Sequence, residues 1–241
     1  SKLDLRQTEL DSPIQYVYNL CTYWMGLGLM SNITPYSLRR KVKSEELDYT
    51  QLMSFLSDYR QPRSKINKWL ADGSLIRVKK GLYVFGPEYA REPYCAETLA
   101  NLIYGPSAIS LEYALSFYGL IPERSAEITC ITPKKNKRFE TPVGLFTYRY
   151  IHPSKYAVGI TQYYLNETHP ILIATPEKAL VDYIYLRARG VHFENIHDMV
   201  IFLSQDMRVD NDLLLKFDVT LLKKIKEQYK LPAIDYLIKI I

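Results

Sequence analysis

"QPRSKINKWLADGSLIRVKKGLYVFG", residues 61–86, carries the signals that decide the fold of the first part of the chain. Pro62 suits the first helical position, where its missing N–H leaves no bond unmade, and Gly73 follows Asp72 as a helix stop. Along the predicted helix Ile66, Trp69 and Leu70 fall at i, i+3 and i+4 and form one apolar stripe. At about 100° per residue the opposite face collects Gln61, Ser64, Asn67, Lys68 and Ala71, with Lys65 beside them and no carboxylate. Beyond the glycine, Ile76 and Val78 alternate with Arg77 and Lys79. Lys80 and Gly81 supply a tight turn, and LYVF returns as a second strand. Upstream, DYTQLMSFLSDY (48–59) reads as a short helix, with Asp48 or Thr50 as its cap and Leu52, Met53, Phe55 and Leu56 as its apolar face. Helix, turn, helix and basic hairpin is the order of a winged helix-turn-helix, predicted here over residues 30–88.

The charge distribution gives this order a purpose. From Tyr59 to Gly81 the chain has Arg60, Arg63, Lys65, Lys68, Arg77, Lys79 and Lys80 against the single acid Asp72, a local charge of +6 in a chain whose net is +5. The remainder is therefore close to neutral, at −1. A helix in a DNA major groove presents amide, hydroxyl or cationic groups to base edges, while flanking lysines and arginines neutralise phosphates. On this pattern Gln61, Ser64, Lys65, Asn67 and Lys68 are expected to face bases. Arg60, Arg63, Lys79 and Lys80 are expected to hold the backbone. A second basic run, Lys134, Lys135, Lys137 and Arg138, joins two predicted strands as a turn and is a candidate contact for nucleic acid or an acidic partner.

A chain of 241 residues with 47% hydrophobic content can bury one large core or two modest ones, and two domains are expected. Cys21, Cys95 and Cys130 are odd in number and widely spaced, which suggests neither a disulfide framework nor a CxxC metal site and suits a reducing cytoplasm. The apolar stretch at 16–30 is interrupted by Asn19, Thr22 and two glycines and is too short to span a bilayer, which takes about 20 residues. Residues 1–29 differ in character from the rest of the chain. They read either as an extension, from cloning or an upstream start codon, ahead of a natural start at Met30, or as a genuine N-terminal helix.

After Gly86 the pattern becomes that of an α+β domain, predicted over residues 89–241. PYCAETLANLIYG and SAISLEYALSFYGLIPE read as helices, the second capped by Ser110 and stopped by Gly119. Strand-like runs follow at EITCIT, GLFTYRYI, ITQYYL and ILIA, and then a helix with Thr175 as cap, Pro176 at its first position and Gly190 as its stop. Helices are expected near 193–205, 210–229 and 232–241. Because the strands succeed one another without intervening helices, a largely antiparallel sheet is predicted. The cut between the domains falls in the polar GPEYAREP, where few buried contacts are expected. The tyrosines at 148, 150, 156, 163 and 164 read as packing across a half-buried sheet.

Glu177, Lys178 and Asp182 combine acids with a lysine, as metal-dependent nucleases do. Five residues apart on a helix, Glu177 and Asp182 diverge by about 140°, so they are not expected to meet on one ion. They read instead as dipole compensation and surface polarity. His152, His169, His192 and His197 fit no zinc spacing, and no phosphate loop or nucleophile elbow is present. No catalytic residue, metal or cofactor is expected.

Four phrases together carry a resemblance: LIRVKKGLYVFG, LANLIYGPSAISLEYALSFYGLIPE, TPVGLFTYRYI and ILIATPEKALVDYIYL. Over about residues 35–205 the chain resembles the AbiEi antitoxins of type IV, abortive-infection toxin-antitoxin systems. The resemblance implies a winged helix that binds inverted repeats in its own promoter and represses it, with Arg63, Lys65, Lys68, Lys79 and Lys80 in the basic positions. It also implies a C-terminal antitoxin domain and a neighbouring AbiEii nucleotidyltransferase toxin, which an antitoxin of this type need not touch. A stand-alone repressor and a nucleic-acid-processing enzyme are the alternatives. On the charge pattern alone, Lys79→Ala with Lys80→Ala is expected to weaken binding to all duplex DNA alike.

Overall fold

A computed structural model describes residues 33–167 and 169–241; the extension at 1–29 and the start at Met30 lie outside the described residues. Helix α1 (Pro35–Lys41) opens with Thr34 and Ser37 exchanging side-chain and backbone hydrogen bonds, and with Pro35 at its first position. It is too short to betray itself by periodicity, as is strand β1 (Glu46–Asp48), and both were unassigned from the sequence. Helix α2 (Tyr49–Phe55) is capped by Asp48, not Thr50: its carboxylate accepts from Gln51 N at 2.7 Å, and Gln51 Oε1 accepts in return from Asp48 N at 3.0 Å. Helix α3 (Pro62–Ala71) starts on Pro62 and ends ahead of Gly73, whose φ of +77° is one that side-chain-bearing residues resist. Strands β2 (Leu75–Lys79) and β3 (Leu82–Phe85) form the hairpin.

These strands make a three-stranded antiparallel sheet in the order β1-β3-β2, so β3 is central. All four of its residues are buried. Since successive side chains in a strand point to opposite faces, β3 divides its apolar groups between two cores. Tyr83 and Phe85 join Leu38, Leu47, Leu52, Leu56, Ile66 and Trp69 in the smaller core. Leu82 and Val84, with Val78 of β2, join the larger one. The return of β3 depends on Gly86, where a Cβ would lie 1.8 Å from the Gly73 carbonyl oxygen, while its N–H donates to Ser74 O at 2.8 Å.

The segment expected to carry few buried contacts is pinned on both sides. The buried Glu45 carboxylate accepts the N–H groups of Arg91 and Glu92 at 3.3 and 3.4 Å, and Glu46 accepts that of Cys95 at 3.4 Å and stands 3.8 Å from His169 Nε2. Polar composition marks an exposed linker only when its backbone groups find their partners in water; here they find carboxylates.

The larger unit begins with α4 (Ala96–Ile103), β4 (Ala108–Ile109), α5 (Leu111–Phe117), β5 (Glu127–Thr132), β6 (Lys137–Thr141) and β7 (Gly144–Tyr150). There follow α6 (Pro153–Tyr156), β8 (Ile160–Tyr164), β9 (Pro170–Ala174), α7 (Pro176–Arg187) and α8 (Ile196–Ile201), which runs into a π-helical turn at Phe202–Asp206. Helices α9 (Asn211–Leu214), α10 (Val219–Tyr229) and α11 (Ala233–Ile240) close the chain. The α+β class is as expected, and the sheet is mixed: three of its five strand pairings are antiparallel, in line with the expectation, and two are parallel. Its order is β6-β7-β5-β4-β9-β8, with β5 parallel to β7 and β4 parallel to β9. The reason is that β7 inserts between β5 and β6, so the strand that follows β5 in sequence is not its neighbour in space. Of the tyrosines, Tyr148 is fully buried with its hydroxyl on Ala100 O at 2.6 Å, whereas Tyr150, Tyr163 and Tyr164 are exposed. Cys95 and Cys130 are free thiols.

Because Val78, Leu82 and Val84 are part of the larger core, a fragment starting at Tyr89 is expected to unfold at lower urea than the intact chain. Leu82→Ala in the full chain should cost about 2–5 kcal/mol. Far-ultraviolet circular dichroism follows unfolding of both fragment and full chain, and equal urea midpoints would show that the hairpin adds nothing to the larger core.

Candidate nucleic-acid interface

The outer face of α3 is exposed as its periodicity requires: Gln61, Ser64, Asn67 and Lys68 are open to solvent, as are Arg60 and Arg63. Between this face and the hairpin lies a groove of about 720 Å³ lined by Tyr49, Arg63, Ile66, Asn67, Arg77, Lys80, Gly81 and Tyr83, with no carboxylate among them. Three of the candidates from the sequence, Arg63, Asn67 and Lys80, therefore meet across one concavity. Arg77, counted in the charge but not singled out, joins them, with its guanidinium 6.0 Å from the centre of the Tyr83 ring. Arg63 Nε donates to the Tyr49 hydroxyl at 3.0 Å, and that bond raises the arginine pKa further above its ordinary value.

Two candidates are placed otherwise. Lys79 was expected beside Lys80 on the solvent side of the hairpin, but its ammonium donates to the carbonyl of Ile103, the last residue of α4. The register shifts between Arg77 and Lys79, and this bulge breaks the alternation on which the expectation rested. The ammonium there compensates the negative end of a helix. Burial, and then the neighbouring Lys134, hold its pKa below the usual lysine value. Lys65 is half-buried, with its ammonium over the rings of Tyr59 and Trp69 at 5.3 and 5.8 Å, so its stem lies along the helix rather than standing out from it.

The second basic run is not simply a turn. Lys137 and Arg138 are the first residues of the edge strand β6, and Lys134 donates to Gly105 O at 2.6 Å, close enough to the hairpin's Lys79 to repel its charge. Lys134 and Lys135 line a shallow concavity of about 640 Å³ with Tyr104, Pro133, Asn136 and Tyr150. Arg138 faces Glu140 at 3.3 Å across an exposed surface, a pairing that contributes little.

Glu177, Lys178 and Asp182 are all buried, which overturns their reading as surface polarity. Asp182 Oδ1 accepts from Lys178 Nζ at 2.6 Å and from the Tyr229 hydroxyl, and Oδ2 accepts from Ser110 Oγ at 2.7 Å. Lys178 also donates to Tyr229. Ser110 thus spends its hydroxyl on Asp182 and makes no side-chain bond to cap α5. Glu177 accepts the N–H of Asp218, which opens α10, at 2.9 Å. The cluster ties α5, α7 and α10 together, and among the described residues no group of acids, histidines and cysteines could hold a metal ion.

No family model and no curated protein matches this chain. A solved structure does: the crystal structure of the RV2827C protein from Mycobacterium tuberculosis, at a TM-score of 0.54 and 17% identity, over 86% of this chain and 75% of that one. At such an identity the likeness is one of fold. No helix among the described residues is long and apolar enough to cross a membrane.

Asp182→Ala is expected to lower stability by about 3–5 kcal/mol, because it strands a buried ammonium. Lys178→Met combined with Asp182→Leu should recover part of that loss. Urea denaturation followed by circular dichroism measures both, and an unchanged midpoint for Asp182→Ala would remove the network's structural role.

Proposed function

We propose that this chain is a sequence-specific binder of double-stranded promoter DNA, acting through a winged helix-turn-helix, and the antitoxin of a type IV toxin-antitoxin system. The observation that carries the DNA reading is the carboxylate-free groove in which Arg63 and Asn67 of α3 face Arg77 and Lys80 of the hairpin. The order α1, β1, α2, α3 and hairpin supports it, since it offers a helix to a major groove and a basic wing to the adjoining phosphates. The antitoxin part rests on the resemblance of the four sequence phrases to AbiEi proteins. It implies repression at inverted repeats and a neighbouring AbiEii-like nucleotidyltransferase toxin. In this reading the chain is not an enzyme and works in the cytoplasm.

Binding to the DNA upstream of its own gene is expected to weaken with salt by about 0.9 in log K per decade for each phosphate neutralised. Arg77→Ala and Lys80→Ala should weaken promoter and scrambled duplex alike, whereas Asn67→Ala should cost about 1–3 kcal/mol on the promoter alone. Lys79→Ala, by contrast, should act mainly on stability. Fluorescence anisotropy of labelled duplexes measures the binding of all four variants and urea denaturation the stability of Lys79→Ala, and equal affinity of the intact protein for promoter and scrambled duplex would remove the specific-regulator reading. For the second activity, the resemblance implies an adjacent nucleotidyltransferase-like gene whose product arrests growth, and expression of this chain beside it is expected to restore growth; absence of such a gene or continued arrest would end the antitoxin reading.

A further inference from the structure

The groove contains one residue that touches both of its walls. The backbone N–H of Tyr49 donates to the carbonyl of Gly81 in the hairpin turn at 2.9 Å, and its hydroxyl accepts from Arg63 Nε at 3.0 Å. Its ring is half-buried against the smaller core, directly after the Asp48 cap, so its position is determined by packing rather than by solvent. Gly81 takes a φ of +89°, a turn conformation that side-chain-bearing residues resist, and its carbonyl is thereby presented to the Tyr49 N–H.

We propose that Tyr49 is a positioning residue for base recognition: it braces Arg63 so that the guanidinium fork reads a guanine edge in the major groove. This inference rests on the DNA-binding reading above and assigns Arg63 to a base, where the charge pattern of the sequence had assigned it to a phosphate. Arg63 is the second residue of α3, near the helix N-terminus, the part of a recognition helix that reaches base edges. With Nε engaged by the tyrosine, the two terminal nitrogens keep four N–H donors, and the end of the fork matches the paired O6 and N7 acceptors of guanine. A mobile lysine serves a phosphate equally well as a point charge. A planar fork biased toward one orientation by a hydrogen bond at Nε gains most from a bidentate partner, because part of the rotamer freedom it would surrender on binding is already given up.

The test uses the full chain and a pool of duplexes with a randomised core. Wild-type protein is expected to select a motif with an invariant G·C pair. Arg63→Lys, which keeps the charge but not the fork, should lose that pair alone, binding the selected duplex about ten-fold or more weakly. Tyr49→Phe should relax the same pair and weaken binding about three- to ten-fold, with the affinity for scrambled duplex, the salt slope and the melting temperature all unchanged. Added to Arg63→Ala, Tyr49→Phe should cost nothing more, since the two act as one unit. If wild type selects a motif but Arg63→Lys keeps it, Arg63 contacts phosphate and the proposal is wrong. If Arg63→Lys loses the pair while Tyr49→Phe selects the wild-type motif at wild-type affinity, the brace is wrong. If wild type selects no motif, the DNA-binding reading falls, and this inference with it.

Discussion

Strand β3 has no solvent face. Tyr83 and Phe85 lie in the smaller core and Leu82 and Val84 in the larger one, so four consecutive side chains join two clusters that would otherwise be separate. Burying both faces of one strand obliges the surrounding elements to approach from both sides. The glycines at 73 and 86 permit the hairpin to close at its base, and Glu45 and Glu46 satisfy the backbone donors of the segment that leaves it. The hairpin is therefore anchored through the wholly buried β3, while its Lys80 and its Arg77 stay accessible.

That constraint sorts the positive charge. A free hairpin would offer Arg77, Lys79 and Lys80 to solvent together. Here the bulge after Arg77 directs Lys79 to the end of α4, where its ammonium meets a helix carbonyl, and leaves Arg77 and Lys80 in the groove with Arg63 and Asn67. One lysine thus strengthens the junction between the two parts, while its neighbour remains available to an anionic partner. The division follows from geometry: the backbone delivers the Lys79 ammonium to a helix-end carbonyl, which accepts its hydrogen bond and offsets part of the hydration that burial removes.

The Lys178–Asp182–Tyr229 cluster shows the same dependence from another side. Its residues look like chemistry in the sequence and act as a buried joint between three helices in the fold. Each polar atom that Asp182 presents has a donor, including Ser110, whose place before α5 marked it as an ordinary helix cap. A buried charge of this kind is tolerated because it is fully paired, and removing one member should be worse than removing two.

Much of the architecture was legible because local signals and global packing agree. Pro62 and Gly73 bound α3, Asp48 caps α2, Thr175 caps α7, and Ile66 and Trp69 turn inward as their spacing requires. The four strand-like runs are strands, and the clustering of positive charge between residues 59 and 81 is a property of the sequence itself. The elements that went unread, α1, β1, β4, β6 and α6, are short and lack a period long enough to detect. What the sequence by itself determined was which segments form helices and strands and which face of each is apolar, because these depend on contacts within a few residues. Only the tertiary structure decided that β7 lies between β5 and β6, that the hairpin serves two cores, and that Lys79 leaves the groove while Tyr49 enters it. Each of those outcomes depends on groups distant in sequence, and no local pattern encodes where such groups meet.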